Sequence, residues 1–171
     1  VLAAANSGSG VSDSTTLTVT AAVDDAAGNS ATPAEVTMTQ DTVDPTMTIT
    51  SSTVVSGADT ATAAIVFTFT ASQATTNFVI GDITESGCDL SAFGAIGGST
   101  TAYAATCTAS GGDGGKSVLV AAEAFTDAAA NGNGAASNTY SWTYDTTDPT
   151  MTITSTAGTA DGGSSNVEAF A

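Results

Sequence analysis

The groups in this chain that could hold a ligand are carboxylates and amides at repeated spacings. Asp41 and Asp44 recur as Asp145 and Asp148, and Asp25 and Asn29 recur as Asp127 and Asn131. Calcium takes six to eight oxygens from carboxylate, amide and carbonyl groups of this kind. Seventeen acidic residues against one basic residue, Lys116, give a formal charge of −16, which keeps a chain soluble and attracts cations. The other reading is that Asp and Asn stand at these positions for their turn chemistry. Both tolerate left-handed backbone and form Asx-turns. The residue types leave both readings open.

Other chemistry is thin. With no His and no Arg, a Ser-His-Asp triad and an arginine clamp on phosphate are both impossible. Asp82 and Glu85 form the nearest carboxylate pair, but their strand-turn context and lack of an aromatic platform make them solvated surface residues rather than a glycosidase acid and base. Gly111 to Gly115 precedes no helix, so it reads as a hairpin turn rather than a phosphate loop. The charge balance excludes a nucleic-acid footprint and argues against docking on an anionic membrane. No apolar run approaches the length of a membrane span, and no signal peptide is visible, as for a mature chain or one excised from something longer. Cys88 and Cys107 have no His to join them as a zinc site or a thiol nucleophile. The reading taken is a disulfide, formed in an oxidising, extracytoplasmic compartment, with two buried free thiols as the alternative.

What positions these residues is a repeat. Asp41-Thr-Val-Asp-Pro-Thr-Met-Thr-Ile-Thr50 returns as Asp145-Thr-Thr-Asp-Pro-Thr-Met-Thr-Ile-Thr154, one substitution in ten and 104 residues on. That period is about one small β-domain, the signature of domains in tandem. Asp-Thr-x-Asp-Pro is polar and ends in a residue that fixes φ and cannot donate to a ladder, so it reads as a linker. Thr-Met-Thr-Ile-Thr alternates with period two, so it reads as an edge strand with one buried face. Three segments follow: residues 1–44 as the end of one unit plus its linker, 45–144 as a complete unit, and 145–171 as the linker and first strands of the next.

Within the complete unit, Ile65–Thr70 alternates with Ile65, Phe67 and Phe69 inward. A strand over Asn77–Thr84 bends at Gly81, and further strands cover Leu90–Phe93, Thr101–Thr108, Ser117–Ala124 and Asn138–Tyr144. Tyr140, Trp142 and Tyr144 share one face. Residues 1–40 supply three late strands of the preceding unit, at Val1–Ala5, Leu17–Ala21 and Val36–Gln40, and a second strand of the next unit falls near Val167–Ala171. Many short strands without helical periodicity predict an all-β, Greek-key two-sheet sandwich. In such a sandwich the loop before the last strand lies where the chain enters. That would bring Asp127, Asn131 and Asn133 near Asp41 and Asp44.

Ser72-Gln-Ala-Thr-Thr-Asn-Phe78, Gly81-Asp-Ile-Thr84, Leu90-Ser-Ala-Phe93 and Ala124-Phe-Thr-Asp-Ala-Ala129, followed by the Asp145 linker, resemble bacterial immunoglobulin-like tandem repeats of large extracellular surface proteins and adhesins. The resemblance implies a stalk or filament on the cell surface, with copies of the same unit as partners and Ca2+ at the joints. A glycan-binding module is the alternative, an enzyme a distant third. Gln73 stands where these repeats commonly carry Glu, and the Asp127–Asn133 loop reads as longer than the usual Asp-Ala-Ala-Gly-Asn, which Asp25–Asn29 keeps. The cysteine pair is not a general feature of such repeats.

Overall fold

A computed structural model describes residues 16–154, so the strands expected at Val1–Ala5 and Val167–Ala171 lie outside the described residues. The first described element is a hairpin of β1 (Thr16–Ala21) and β2 (Ala34–Thr39), paired antiparallel with Val19 opposite Val36. Its side chains are largely exposed, Val36 and Met38 among them.

Eight further strands build two four-stranded sheets. In chain order these are β3 (Met47–Ser51), β4 (Asp59–Thr60), β5 (Ala64–Ala71), β6 (Ile83–Ser86), β7 (Cys88–Ala95), β8 (Ala102–Ala109), β9 (Gly114–Val120) and β10 (Tyr140–Tyr144). One sheet runs β3-β5-β8-β7 and the other β4-β10-β9-β6. The polypeptide therefore crosses between sheets early: β3 pairs antiparallel with β5, while β4 pairs parallel with the last strand, β10. No α-helix occurs among the described residues. This is the expected Greek-key sandwich.

Period-two alternation decides which side chains face inward. Met47 and Ile49 from β3, Ile65, Phe67 and Phe69 from β5, and Tyr103, Ala105 and Cys107 from β8 meet Val118, Val120, Tyr140 and Trp142 from the opposing sheet. Phe67 packs edge-on against Tyr140 and tilted against Trp142, with centroids 5.3 and 5.4 Å apart. A second aromatic group surrounds Phe78, whose ring lies within 5.8 Å of those of Phe69, Phe93, Tyr103 and Phe125. Each of these rings stabilises the fold by roughly 1.5–3 kcal/mol through area removed from water.

Three strand expectations need correcting. Asn77–Thr84 is not one bent strand. Asp82 accepts a hydrogen bond from the Val79 amide at 2.8 Å and donates its own amide to the Val79 carbonyl, making a 3-10 turn over Ile80–Asp82. Only Ile83–Ser86 then joins the ladder, because the local side-chain acceptor outcompetes it. The strand expected over Ser117–Ala124 begins earlier, at Gly114, and stops at Val120, where a buried side chain takes over the backbone. The two-residue β4 was not foreseen, since Asp59-Thr60 carries no apolar alternation.

Cys88 and Cys107 are bonded, with Cα atoms 5.6 Å apart. Register places Leu90 opposite Cys107 and Cys88 opposite Ala109, so the bridge runs diagonally between neighbouring strands of one sheet. It fastens the edge strand β7, whose pairing shifts between Ser91 and Gly94, to the central strand β8. Replacing both cysteines by alanine should lower stability by about 3 kcal/mol, the chain-entropy value for a loop of this length. Chemical denaturation of the two forms measures it. An unchanged midpoint would mean that the bridge does not constrain the unfolded chain.

Candidate functional site

Apart from Asp25 and Asn29, which lie in the loop of the β1–β2 hairpin, the candidate residues sit in loops and linkers at the ends of the sandwich strands, and most spend their polar atoms on backbone. Asp127 shows the pattern. Its Oδ1 accepts from the Ala129 amide at 2.8 Å and the Asn131 amide at 2.9 Å, and its Oδ2 accepts from Asn131 Nδ2 at 2.9 Å. The Asp127 amide donates to the Asn131 carbonyl, the Ala130 amide to the Asp127 carbonyl, and the Asn133 amide to the Phe125 carbonyl. Burial alone would raise the Asp127 carboxyl, but the Asn131 side chain and the surrounding amides outweigh it and hold the group below the ordinary aspartate range.

The same turn stands 102 residues earlier, bond for bond. Asp25 Oδ1 accepts from the Ala27 and Asn29 amides, both at 2.9 Å, and Oδ2 accepts from Asn29 Nδ2 at 2.8 Å. Asp25 to Asn29, Gly28 to Asp25 and Ala31 to Val23 repeat the three backbone bonds, and the bridges Asp24–Ser30 and Thr126–Gly132 match. The Asn29 side chain, followed by the local amides, also holds the Asp25 carboxyl low. These equal spans correct the expectation of a longer second loop. The difference is one residue type: Gly28 sits at φ +87°, and Ala130 occupies the same left-handed position at φ +71°.

Asn133 is a residue whose role the sequence did not disclose. It is fully buried. Its Oδ1 accepts from the Ala124 and Phe125 amides at 2.7 and 3.0 Å, and its Nδ2 donates to the Ala121 and Ala135 carbonyls at 2.7 and 3.1 Å. All its side-chain capacity goes to backbone that has left the ladder, so it is a structural plug rather than a joint ligand. The earlier turn has Ala31 at the matching position.

The linkers lie against these ends. Asp41 Oδ1 accepts from the Val43 amide at 3.1 Å, and Asp145 Oδ1 accepts from the Thr147 amide at 2.9 Å, the same Asx-turn in both copies. On the incoming side, Asn131 Nδ2 donates to the Asp41 carbonyl at 3.2 Å and Gln73 Nε2 to the Val43 carbonyl at 2.6 Å. Thr46 and Ser72 exchange two bonds of 2.9 Å, which seats the buried Pro45. The Asp44 carboxylate rests beside Gly134, so closely that a Cβ there would clash with Asp44 Oδ2. On the outgoing side, Asp113 accepts from the Thr146 amide at 3.0 Å, the Thr146 hydroxyl at 2.8 Å and the Thr147 hydroxyl at 2.7 Å. The Thr147 and Thr146 hydroxyls are the main cause of its lowered carboxyl. Lys116 holds the turn that presents Asp113, donating to the Ser110 and Gly112 carbonyls at 2.8 Å each. Asp148 is exposed.

Of the residues expected at a joint, Asn131 reaches Asp41, Asp127 holds Asn131, and Asp44 lies against the same loop. The donor set does not fit a calcium cage as arranged. Asp127 is committed to three N–H groups, and Asn131 and Gln73 turn amide nitrogens, not oxygens, toward the linker carbonyls. Among the described residues, no three Asp, Glu, His or Cys side chains group as a metal centre. Of the carboxylate pair nearest to a glycosidase arrangement, Asp82 caps its own turn and Glu85 is exposed.

A family model described as a bacterial Ig-like domain matches residues 41–144, more than half of the chain, from the first linker to the end of β10. No curated protein and no solved structure matches.

Because Ala130 holds a left-handed backbone that costs a non-glycine residue about 1–2 kcal/mol, Ala130→Gly should raise stability by roughly 0.5–1 kcal/mol after glycine's extra unfolded entropy. Gly28→Ala should act in the opposite sense. Thermal unfolding of both variants checks this, and a lower Tm for Ala130→Gly would contradict the strained-turn reading.

Proposed function

The chain belongs to the bacterial Ig-like domain family, and from that membership we propose that it is a stretch of an extracellular stalk or filament built of such domains in tandem. Domains of this family are typical of bacterial surface proteins and are typically non-catalytic. The observation that carries the reading is the pair of Asp–Asn turns, Asp25–Asn29 and Asp127–Asn131, which share six hydrogen bonds and stand 102 residues apart. The linker Asx-turns at Asp41 and Asp145 repeat in the same way. A turn and a linker that recur with their hydrogen bonds intact are what a tandem array requires.

The other features agree with this role. The disulfide suits an oxidising extracytoplasmic setting. The uniform negative charge keeps arrays apart in solution. Copies of the same unit are then the partners, joined in one polypeptide or by strand donation, and the exposed β1–β2 hairpin belongs to the preceding unit. A glycan-binding module would need an exposed aromatic strip. The nine aromatic side chains of residues 16–154 are instead buried or half-buried, so no observation favours that alternative.

Negative-stain electron microscopy of the native protein is the test. A thin rod or fibre advancing by roughly 35–45 Å per unit, set by strands of eight to ten residues, is expected. Isolated globular particles would overturn the proposal.

A further inference from the structure

The single basic side chain of this protein is not on its surface. Alternation along β9 turns Lys116 inward with Val118 and Val120, opposite Trp142 on β10, and it is 5% exposed. Gly87, between β6 and β7, makes the room. A Cβ there would lie 2.7 Å from Lys116 Cδ and 3.2 Å from Nζ. The ammonium reaches the β8–β9 turn, where the Ser110 and Gly112 carbonyls accept from it at 2.8 Å each. The Ser110 amide donates to the Gly87 carbonyl at 2.9 Å and ties the turn to the same glycine. Glycines have little backbone preference of their own, so across Gly111 to Gly115 these bonds fix the path of the chain.

Asp113 is the one residue of that run with a side chain. Both of its carboxylate oxygens are spent on the outgoing linker. Oδ1 accepts from the Thr146 amide and hydroxyl, and Oδ2 accepts from the Thr147 hydroxyl. The local Asx-turn is separate, since it runs from the Thr147 amide to Asp145. Hydrogen bonds to a charged acceptor are the strong ones, and three from two successive residues fix a direction as well as a position.

The one residue in ten at which the two linkers differ is among these donors. Val43 stands where Thr147 does and has no hydroxyl to give.

We propose that Asp113 is a latch on the outgoing linker, aimed by Lys116 from within the sandwich, so that this unit itself sets the direction in which its successor leaves. Lys116 is a positioning residue, acting on the linker only through the turn. Thr147 suits this joint to the latch, and a Val there would give up the bond to Oδ2. The consequence for an array rests on the tandem reading above, but every group of the latch lies within residues 87–147.

Amide exchange measured by NMR on the full 171-residue chain reads the latch at the Thr146 amide, with the Val43 amide of the other linker as reference. Asp113→Ala should speed exchange at Thr146 at least about tenfold, the effect of losing a hydrogen bond to a charged acceptor, and leave Val43 unchanged. Thr147→Val gives this linker the sequence of the first and should speed it by a smaller factor, while Thr147→Ser should keep the parent rate. Lys116→Met keeps the stem and removes the ammonium, so it should speed exchange at Thr146 although Asp113 is still present. Unchanged exchange across β5 and β8 confirms a folded domain. Should Lys116→Met fail that check, Lys116→Gln takes its place with the same expectation. A Thr146 rate in Asp113→Ala equal to that of the parent would overturn the latch, and a rate indifferent to Lys116 would overturn its aiming from within. Isolated particles in micrographs would instead defeat the tandem reading and leave these rates as they are.

Discussion

Short polar side chains that satisfy backbone groups no ladder reaches are what the ends of this sandwich depend on. A sheet saturates its own interior, but every strand terminus leaves amides and carbonyls that must find partners or face water. Asn133 does this inside the fold, closing four bonds to residues on either side of its loop. Asp127, itself buried, and the more exposed Asp25, Asp41 and Asp145 do it in turns, each accepting from amides two or four residues on. Removing the Asn133 acceptor would leave buried and half-buried donors unmet, at roughly 1–3 kcal/mol each. The aromatic core holds the two sheets together, and these polar bonds decide where the chain leaves them.

That division explains why the termini of the complete unit are ordered against it. β3 and β4 lie in different sheets, and β4 runs parallel to β10, so the second and last strands of the domain are neighbours. The Thr143 amide donates to the Ala58 carbonyl and the Asp145 amide to the Thr60 carbonyl within this pairing, and the Gly57 amide donates to the Ser141 carbonyl beside it. Asn138 adds both halves of its side-chain amide to the Ile49 backbone, at 2.7 and 2.9 Å.

Much of this was legible in the sequence. Alternation over Ile65–Thr70 and Thr101–Thr108 gave the central strands, because burial on one face leaves a period-two record. The decapeptide repeat marked two segments that form the same Asx-turn. What escaped has no periodicity. β4 is too short to alternate, and Phe78 reaches the core from a turn that Asp82 closes locally. Asn133 and Asp113 look like any Asn or Asp flanked by glycine, and only the fold shows that one is buried and the other reaches the linker. Asn131, read from the sequence as an oxygen ligand, turns its side-chain nitrogen toward the Asp41 carbonyl.

The central claim is that the acidic residues of the joints and turns are acceptors for the protein's own N–H and O–H groups. Titration of the side-chain carboxyl carbons by NMR, in chelator, tests this most directly. A carboxylate held by donors resists protonation, so its folded pKa falls below the unfolded value, about 3.9. The stability it contributes is present above that value and is lost as pH falls through the lower, folded pKa. Asp25, Asp113 and Asp127 should all titrate below a free aspartate. Ordinary values for all three in chelator, depressed only when calcium is added, would contradict the account.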